Sequence, residues 1–164
     1  MAFGALHVLS FLDRPAHGAV THVTLGLSRH PLRQTSGEVR QELLISCDPS
    51  WESPGVVGLL SHVAGEVALA GKPLIFGEAV PLDVQMAGVP RIDALLAIDP
   101  RHFDEGLHTF SGGGTPTAIT WLVPITREEF TFVAEAGPDP FLKLLGEQQP
   151  DLLRVRSRSI PGIS

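Results

Sequence analysis

The apolar residues change period in the first half of the chain, and that change limits what it can fold into. Val23, Leu25 and Leu27 alternate with Thr24, Gly26 and Ser28, and Leu43, Ile45 and Cys47 alternate again after a polar stretch. A repeat of two marks a strand with one face buried. Pro31 ends the first run, and Gln34, Thr35, Ser36 and Gly37 are turn formers, so 21–47 predicts a hairpin with a long connecting loop. From Val56 the spacing becomes helical, through Leu59, Leu60, Val63 and Val67. Ser53 supplies an N-cap hydroxyl, Pro54 suits the first helical position, and Gly71 with Pro73 supplies the stop. Gly55, Gly58 and Gly65 lower the helix's own propensity, so it needs burial against a sheet. The expectation is that Val23, Leu25, Leu27, Leu43, Ile45 and Cys47 form one sheet face under a helix from Pro54 to Ala70.

The rest of the chain extends this order. Leu6 to Leu12 predicts a first strand, and Leu74 to Gly88, broken by Gly77 and Pro81, an irregular crossover. Ile92 to Ile98 is apolar enough for a central strand, and Ala118 to Val123 predicts another. Thr126-Arg127-Glu128-Glu129 has the form of a capping box, opening a short helix through Ala134. Asp139-Pro140 repeats the cap-then-proline signal before Phe141, Leu144 and Leu145, and Pro150 ends that helix. Arg154, Arg156 and Arg158 alternate with Val155 and Ser157, which suits a charged edge strand or a loose tail over 151–164. Strands, helix, strands and helices in this order predict an α/β fold of the α+β type, a mixed β-sheet covered by helices. At 164 residues one domain, 1–164, is expected.

Charge and composition narrow the function. A formal net charge of -6 with only 12 lysines and arginines argues against nucleic-acid binding, because phosphate contact needs a basic surface. No run reaches the roughly 18 apolar residues of a membrane span, and Met1 to Leu12 lacks the basic start of a signal peptide, so a cytoplasmic protein is expected. The single cysteine, Cys47, lies on the apolar side of a strand, where a small buried hydrophobe is the ordinary reading.

The segments that invite a chemical reading fail on physical grounds. Gly26-Leu27-Ser28-Arg29-His30 has part of a nucleophile elbow, but His30 stands where the second glycine must be and Pro31 starts a loop, not a helix. His102, Asp104, Glu105 and His108 offer metal-ligand atoms on one loop without diagnostic spacing. Ser111-Gly112-Gly113-Gly114 lacks the lysine and the following helix of a phosphate loop. No catalytic residue, metal or cofactor is expected.

The surviving landmarks share an order with one family. Thr24-Leu25-Gly26-Leu27-Ser28, Glu42-Leu43-Leu44, Pro49-Ser50-Trp51, Leu122-Val123-Pro124-Ile125-Thr126-Arg127-Glu128-Glu129 and Phe141-Leu142-Lys143-Leu144-Leu145 resemble the suppressor of fused domain family from about Val20 to Leu145. The segment from Ala79 to Gly114 matches it poorly. The resemblance implies a mixed α/β domain that binds proteins and has no catalytic centre. Its bacterial single-domain form is similar to immunity proteins that neutralise polymorphic toxins; a regulatory scaffold is the alternative, and an enzyme with a dispersed site is third.

An acidic surplus between Asp99 and Asp151 suits a basic partner such as a nuclease toxin. Asp104, Glu105, Glu128 and Glu135 would then be acidic contacts, with Phe103 and Phe110 as exposed apolar anchors. The competing reading is that these carboxylates only solubilise the surface and cap helices.

Overall fold

Eight strands among the described residues form one sheet: β1 (His7–Leu12), β2 (Val20–Leu25), β3 (Leu32–Gln34), β4 (Gly37–Cys47), β5 (Ala79–Pro81), β6 (Ala94–Ile98), β7 (Thr109–Phe110) and β8 (Thr117–Ile125). Three helices accompany them, α1 (Ser53–Ala70), α2 (Arg127–Ala136) and α3 (Pro138–Gln148). The structure is a computed structural model that describes residues 5–51, 53–82, 92–100, 103, 107–111, 114–154, 158 and 160–163. The strand order is β1-β2-β4-β8-β6-β5, with β3 beside β4 and β7 beside β8. Only the pairing of β4 with β8 is parallel; the others are antiparallel.

The interior strands are apolar on both faces, so the sheet is covered on two sides. Leu43, Ile45 and Cys47 of β4, Leu95 and Ala97 of β6, and Leu122 of β8 pack with Trp51 and with Val56, Leu59, Leu60, Val63 and Val67 of α1. The alternate residues Leu44, Leu96, Trp121, Val123 and Ile125 pack with Val133 of α2 and Phe141 of α3. This burial holds α1 despite its glycines. The expected helix, the strand at Ile92 to Ile98 and the strand at Ala118 to Val123 therefore appear as α1, β6 and β8, although β6 starts at Ala94 and lies between β8 and β5.

The first strand of the hairpin departs from expectation. Val23 pairs with Leu44, which places it on the α2–α3 face and not under α1. Leu25 is 48% exposed, and Leu27 lies beyond the strand in a 3-10 turn, buried in the α1 cluster. The cause is Gly26. Its φ of 118° ends the alternation, and the Ala5 carbonyl lies 2.8 Å from where a Cβ would stand. Only glycine permits both. What β2 turns toward α1 is polar: His22 pairs with Ile45 and is itself buried.

The capping box at Thr126 forms as read. Glu129 N–H donates to Thr126 Oγ1 at 3.3 Å, and Thr126 N–H donates to Glu129 Oε2 at 2.9 Å. Gly137 serves as C-cap of α2 and N-cap of α3, so Asp139 sits in the first turn of α3 and not at its cap. The tail is neither an exposed edge strand nor loose at its described residues. Leu152 and Ile160 are buried in the α2–α3 cluster, and Arg158 is fully buried against Glu129. Apolar residues and one buried ion pair together anchor the segment.

Candidate functional site

Four donors from Thr24, Gly26 and Ser28 converge on one carboxylate. Glu42, 5% exposed, accepts from Thr24 Oγ1 at 2.6 Å, Gly26 N–H at 2.9 Å, Ser28 N–H at 3.0 Å and Ser28 Oγ at 2.7 Å. Thr24 Oγ1 in turn accepts from Leu43 N–H at 2.8 Å. The serine that resembles a nucleophile is thus engaged as a donor to the buried Glu42 carboxylate. Its role is to close the 3-10 turn onto β4. Gln41 makes a similar tie on the other side, donating to the Leu74 carbonyl and Thr120 Oγ1, both at 2.8 Å.

Burial, then the neighbouring Asp48 charge, pushes the Cys47 thiol up to about 12, so it stays protonated at neutral pH. Among the described residues, no three His, Cys, Asp or Glu side chains are grouped to hold a metal ion. His102, Asp104 and Glu105 lie outside the described residues.

His22 shares a hydrogen bond of 2.8 Å with Ser10, and burial lowers its pKa below the ordinary 6.5. The folded chain therefore binds fewer protons here than the unfolded one, and the stability so gained is present above about pH 6.5 and lost as pH falls. His22→Asn is expected to flatten the decline in melting temperature between about pH 7 and about pH 5 relative to wild type. An unchanged slope would show that the imidazole takes up its proton in the fold as easily as in water.

An apolar cleft lies at the opposite end of the sheet from β1. A cleft of about 770 Å³ opens between the C-terminal half of α1 and the segment Lys72–Leu82, lined by Leu59, Val63, Val67, Leu74, Val80 and Leu82. Lys72, Glu66, Glu78 and His62 stand on its lining and give it charges of both signs. Strand β5 forms its margin and is the last strand of the sheet order. Leu82 N–H donates inward to the Asp93 carbonyl and Ala97 N–H to the Glu78 carbonyl. By the alternation of an antiparallel ladder, Ala79 turns its N–H and C=O outward. Pro81, at the next outward position, has no N–H to offer. Gly77 has φ 84° and lets Pro138 of α3 pack against it, with Pro138 Cβ 2.9 Å from where a Cβ would stand. That contact fixes the turn leading into β5. Ile75 and Phe76, on the same turn, are largely exposed.

The residues that the sequence suggests for partner contact do not gather in one place. Phe103 is half-buried, and its ring meets Trp121 edge-on at 5.6 Å, so it belongs mainly to the packing. Phe110 is 65% exposed on β7. It pairs with Thr117 at the start of β8, whereas Glu128 follows the end of that strand, roughly 30 Å away along nine extended residues. Glu128 and Glu135 are exposed on α2. Hydrogen bonding to its own backbone N–H, then to the Thr126 hydroxyl, holds the Glu128 carboxyl below its ordinary value. Asp104 and Glu105 lie outside the described residues. Sequence reasoning missed the β5 cleft, because a three-residue strand containing proline gives no periodic signal.

No helix among the described residues is long and apolar enough to cross a membrane. The fold is shared with solved proteins of low sequence identity. A suppressor of fused homologue from Neisseria gonorrhoeae superposes with a TM-score of 0.75 at 16% identity, over 97% of this chain and 80% of that one. The Sufu chain of a Sufu–Fu complex gives 0.65 at 16% identity, over 90% of this chain and 69% of that one. Drosophila Suppressor of Fused gives 0.63 at 15% identity, and there the match spans 90% of this chain but only 38% of that one. No curated protein matches the chain. The family profile described as suppressor of fused protein (SUFU) matches residues 4–159, so this chain belongs to the suppressor of fused family.

Proposed function

We propose that this chain is a protein-binding domain that takes up an extended segment of its partner along β5, and that it acts in the cytoplasm as an immunity protein neutralising a toxin domain. The observation that carries the binding reading is a strand edge with no partner among the described residues, beside an apolar cleft. An incoming strand gains main-chain hydrogen bonds from Ala79 and buries alternate side chains against α1. Pro81 limits the length of that pairing and so favours a specific segment over indiscriminate strand addition. Lys72, Glu66 and Glu78 on the same lining offer charge selection. Neutralisation needs no catalysis, because occupying a toxin's working surface is enough. The Sufu–Fu complex is a precedent for protein binding by this fold. The acidic net charge and the carboxylates of α2 favour a basic toxin such as a nuclease. A regulatory scaffold would use the same cleft without conferring protection.

The test is to sequence the genes on either side of this protein's own and to co-express the chain with a toxin domain encoded there; a neighbourhood without one refutes the immunity reading. Wild-type chain is expected to restore growth, and Ala79→Pro, which removes an outward donor at a position where an edge tolerates proline, is expected to abolish protection with little change in melting temperature. Full protection by Ala79→Pro would refute the cleft, and binding without protection would favour the scaffold. Glu128→Lys with Glu135→Lys is expected to slow association with a basic toxin at low salt and leave folding nearly unchanged.

A further inference from the structure

The other end of the sheet is also open. Strand β1 is the terminal strand there, and its outer edge has no partner among the described residues. Leu9 and Phe11 are 43% and 47% exposed. They share a face with the exposed Leu25, which pairs with His7, and with Val23, which pairs with Leu9. Val23 is packed against the α2–α3 cluster, so the covered part of this face ends beside Leu9. Natural edges are commonly guarded by charge, proline or a bulge. The stretch His7–Leu12, HVLSFL, holds no lysine, arginine, carboxylate or proline, and it pairs with β2 in unbroken register.

We propose that two copies of this chain pair through β1, antiparallel, about a two-fold axis that is perpendicular to the sheet and passes midway between Ser10 of one copy and Ser10 of the other. Such an axis keeps the faces of the two sheets continuous, so each residue meets one of the same parity. Leu9 then lies opposite Phe11 of the second copy, and Phe11 opposite its Leu9. The apolar patches, extended by Leu25 on each side, join into one. Val8 meets Leu12 of the second copy on the other face.

A different occupant fits less well. A basic partner finds no acidic surface along His7–Leu12, and an unrelated strand would not align Leu9 and Phe11 with apolar counterparts. A contact confined to one strand edge is expected to be weak, so the dimer forms with concentration and does not persist on dilution. Pairing through β1 leaves β5 at both outer ends of one continuous sheet, and the dimer presents two β5 clefts. The proposal does not depend on what binds those clefts.

Sedimentation velocity over a concentration series tests it. The mass is expected to rise from that of the 17.5 kDa monomer toward twice that value. Leu9→Lys with Phe11→Lys, both on an exposed edge, is expected to remain monomeric throughout with an unchanged melting temperature. Ser10→Cys is expected to form an intermolecular disulfide under mild oxidation, since the two Cα atoms face each other at about 4.5–5.5 Å across the axis. The native Cys47 is buried and does not compete. A wild-type chain that is monomeric at every concentration overturns the proposal. So does a dimer that survives the double lysine variant, or one that Ser10→Cys fails to trap. Neither result bears on growth protection, which reads the β5 cleft alone.

Discussion

Glu42→Leu is expected to destabilise the fold by about 3–5 kcal/mol, because it leaves four hydrogen-bond donors facing an apolar side chain. Thr24 Oγ1, Gly26 N–H and both donors of Ser28 have Glu42 as their acceptor, and the site is too enclosed for water to replace it freely. An orphaned buried donor costs about 1–3 kcal/mol; Ser28 is partly exposed and recovers some of its loss from solvent. Glu42→Gln keeps one acceptor oxygen but turns an amide NH2 toward donors, so an intermediate loss is expected. Ser28→Ala removes a single donor and leaves the carboxylate with three, and about 1 kcal/mol is expected. Urea unfolding measures all three, with the loss read from the midpoint at unchanged slope. A Glu42→Leu variant within about 1 kcal/mol of wild type would show that the turn repacks without its acceptor.

Arg158→Met is expected to cost a similar amount, about 3–5 kcal/mol, by leaving the buried Glu129 carboxylate without its cation. Arg158 Nε donates to Glu129 Oε1 at 2.8 Å, and Nη2 donates to Glu129 Oε2 and to the Pro124 carbonyl. The guanidinium side chain is fully buried and the carboxylate nearly so, hence little screening by water applies. Glu129→Gln in the Arg158→Met background is expected to recover part of the loss. It removes the uncompensated charge and keeps an oxygen for the Thr126 N–H. Equal losses from the single and double variants would show that the charge is tolerated and that packing of the tail accounts for the whole effect.

These two clusters differ in how far the sequence discloses them. The capping box is legible because its partners lie one helical turn apart, and Thr126 with Glu129 at that spacing has few other uses. The segments β4, α1 and β8 are legible for a similar reason, since each is long enough for its period to be counted. Glu42 carries a signal of a weaker kind. A carboxylate set in the apolar run Leu43-Leu44-Ile45 must find donors or face out, but nothing local says that Thr24, Gly26 and Ser28 provide them. Arg158 reads as tail charge because its partner is distant in sequence and the intervening helices alone bring them together.

The face of β2 departs from simple alternation for a definite physical cause. Alternation assigns Val23, Leu25 and Leu27 to one side only if the strand continues, and Gly26 interrupts it with a backbone angle that other residues avoid. Three hydrophobic residues in perfect alternation thus occupy three environments: one under α2 and α3, one in solvent, one under α1. The β5 cleft was illegible because its strand is short and its walls come from a helix and a loop far apart in the pattern. Family landmarks do not help there, since that segment is where the resemblance is weakest.

The single parallel ladder at the centre of the sheet also sets the timetable on which the protein can be made. Arg40 to Leu44 pair with Thr117 to Trp121, so β4 leaves the ribosome long before the strand that will flank it exists. At roughly 5–20 residues per second the nascent chain carries that open apolar edge for several seconds. During this interval β2, already synthesised, can zip onto one side of β4, and α1 can fold over one face as soon as it emerges. The other side must wait for α1, β5, β6 and β7 to be completed and for a long loop to close, which is the slow class of contact. Newly made chains are therefore most vulnerable to clumping just before β8 emerges, and a holdase that recognises extended apolar segments would find its substrate at Leu43-Leu44-Ile45.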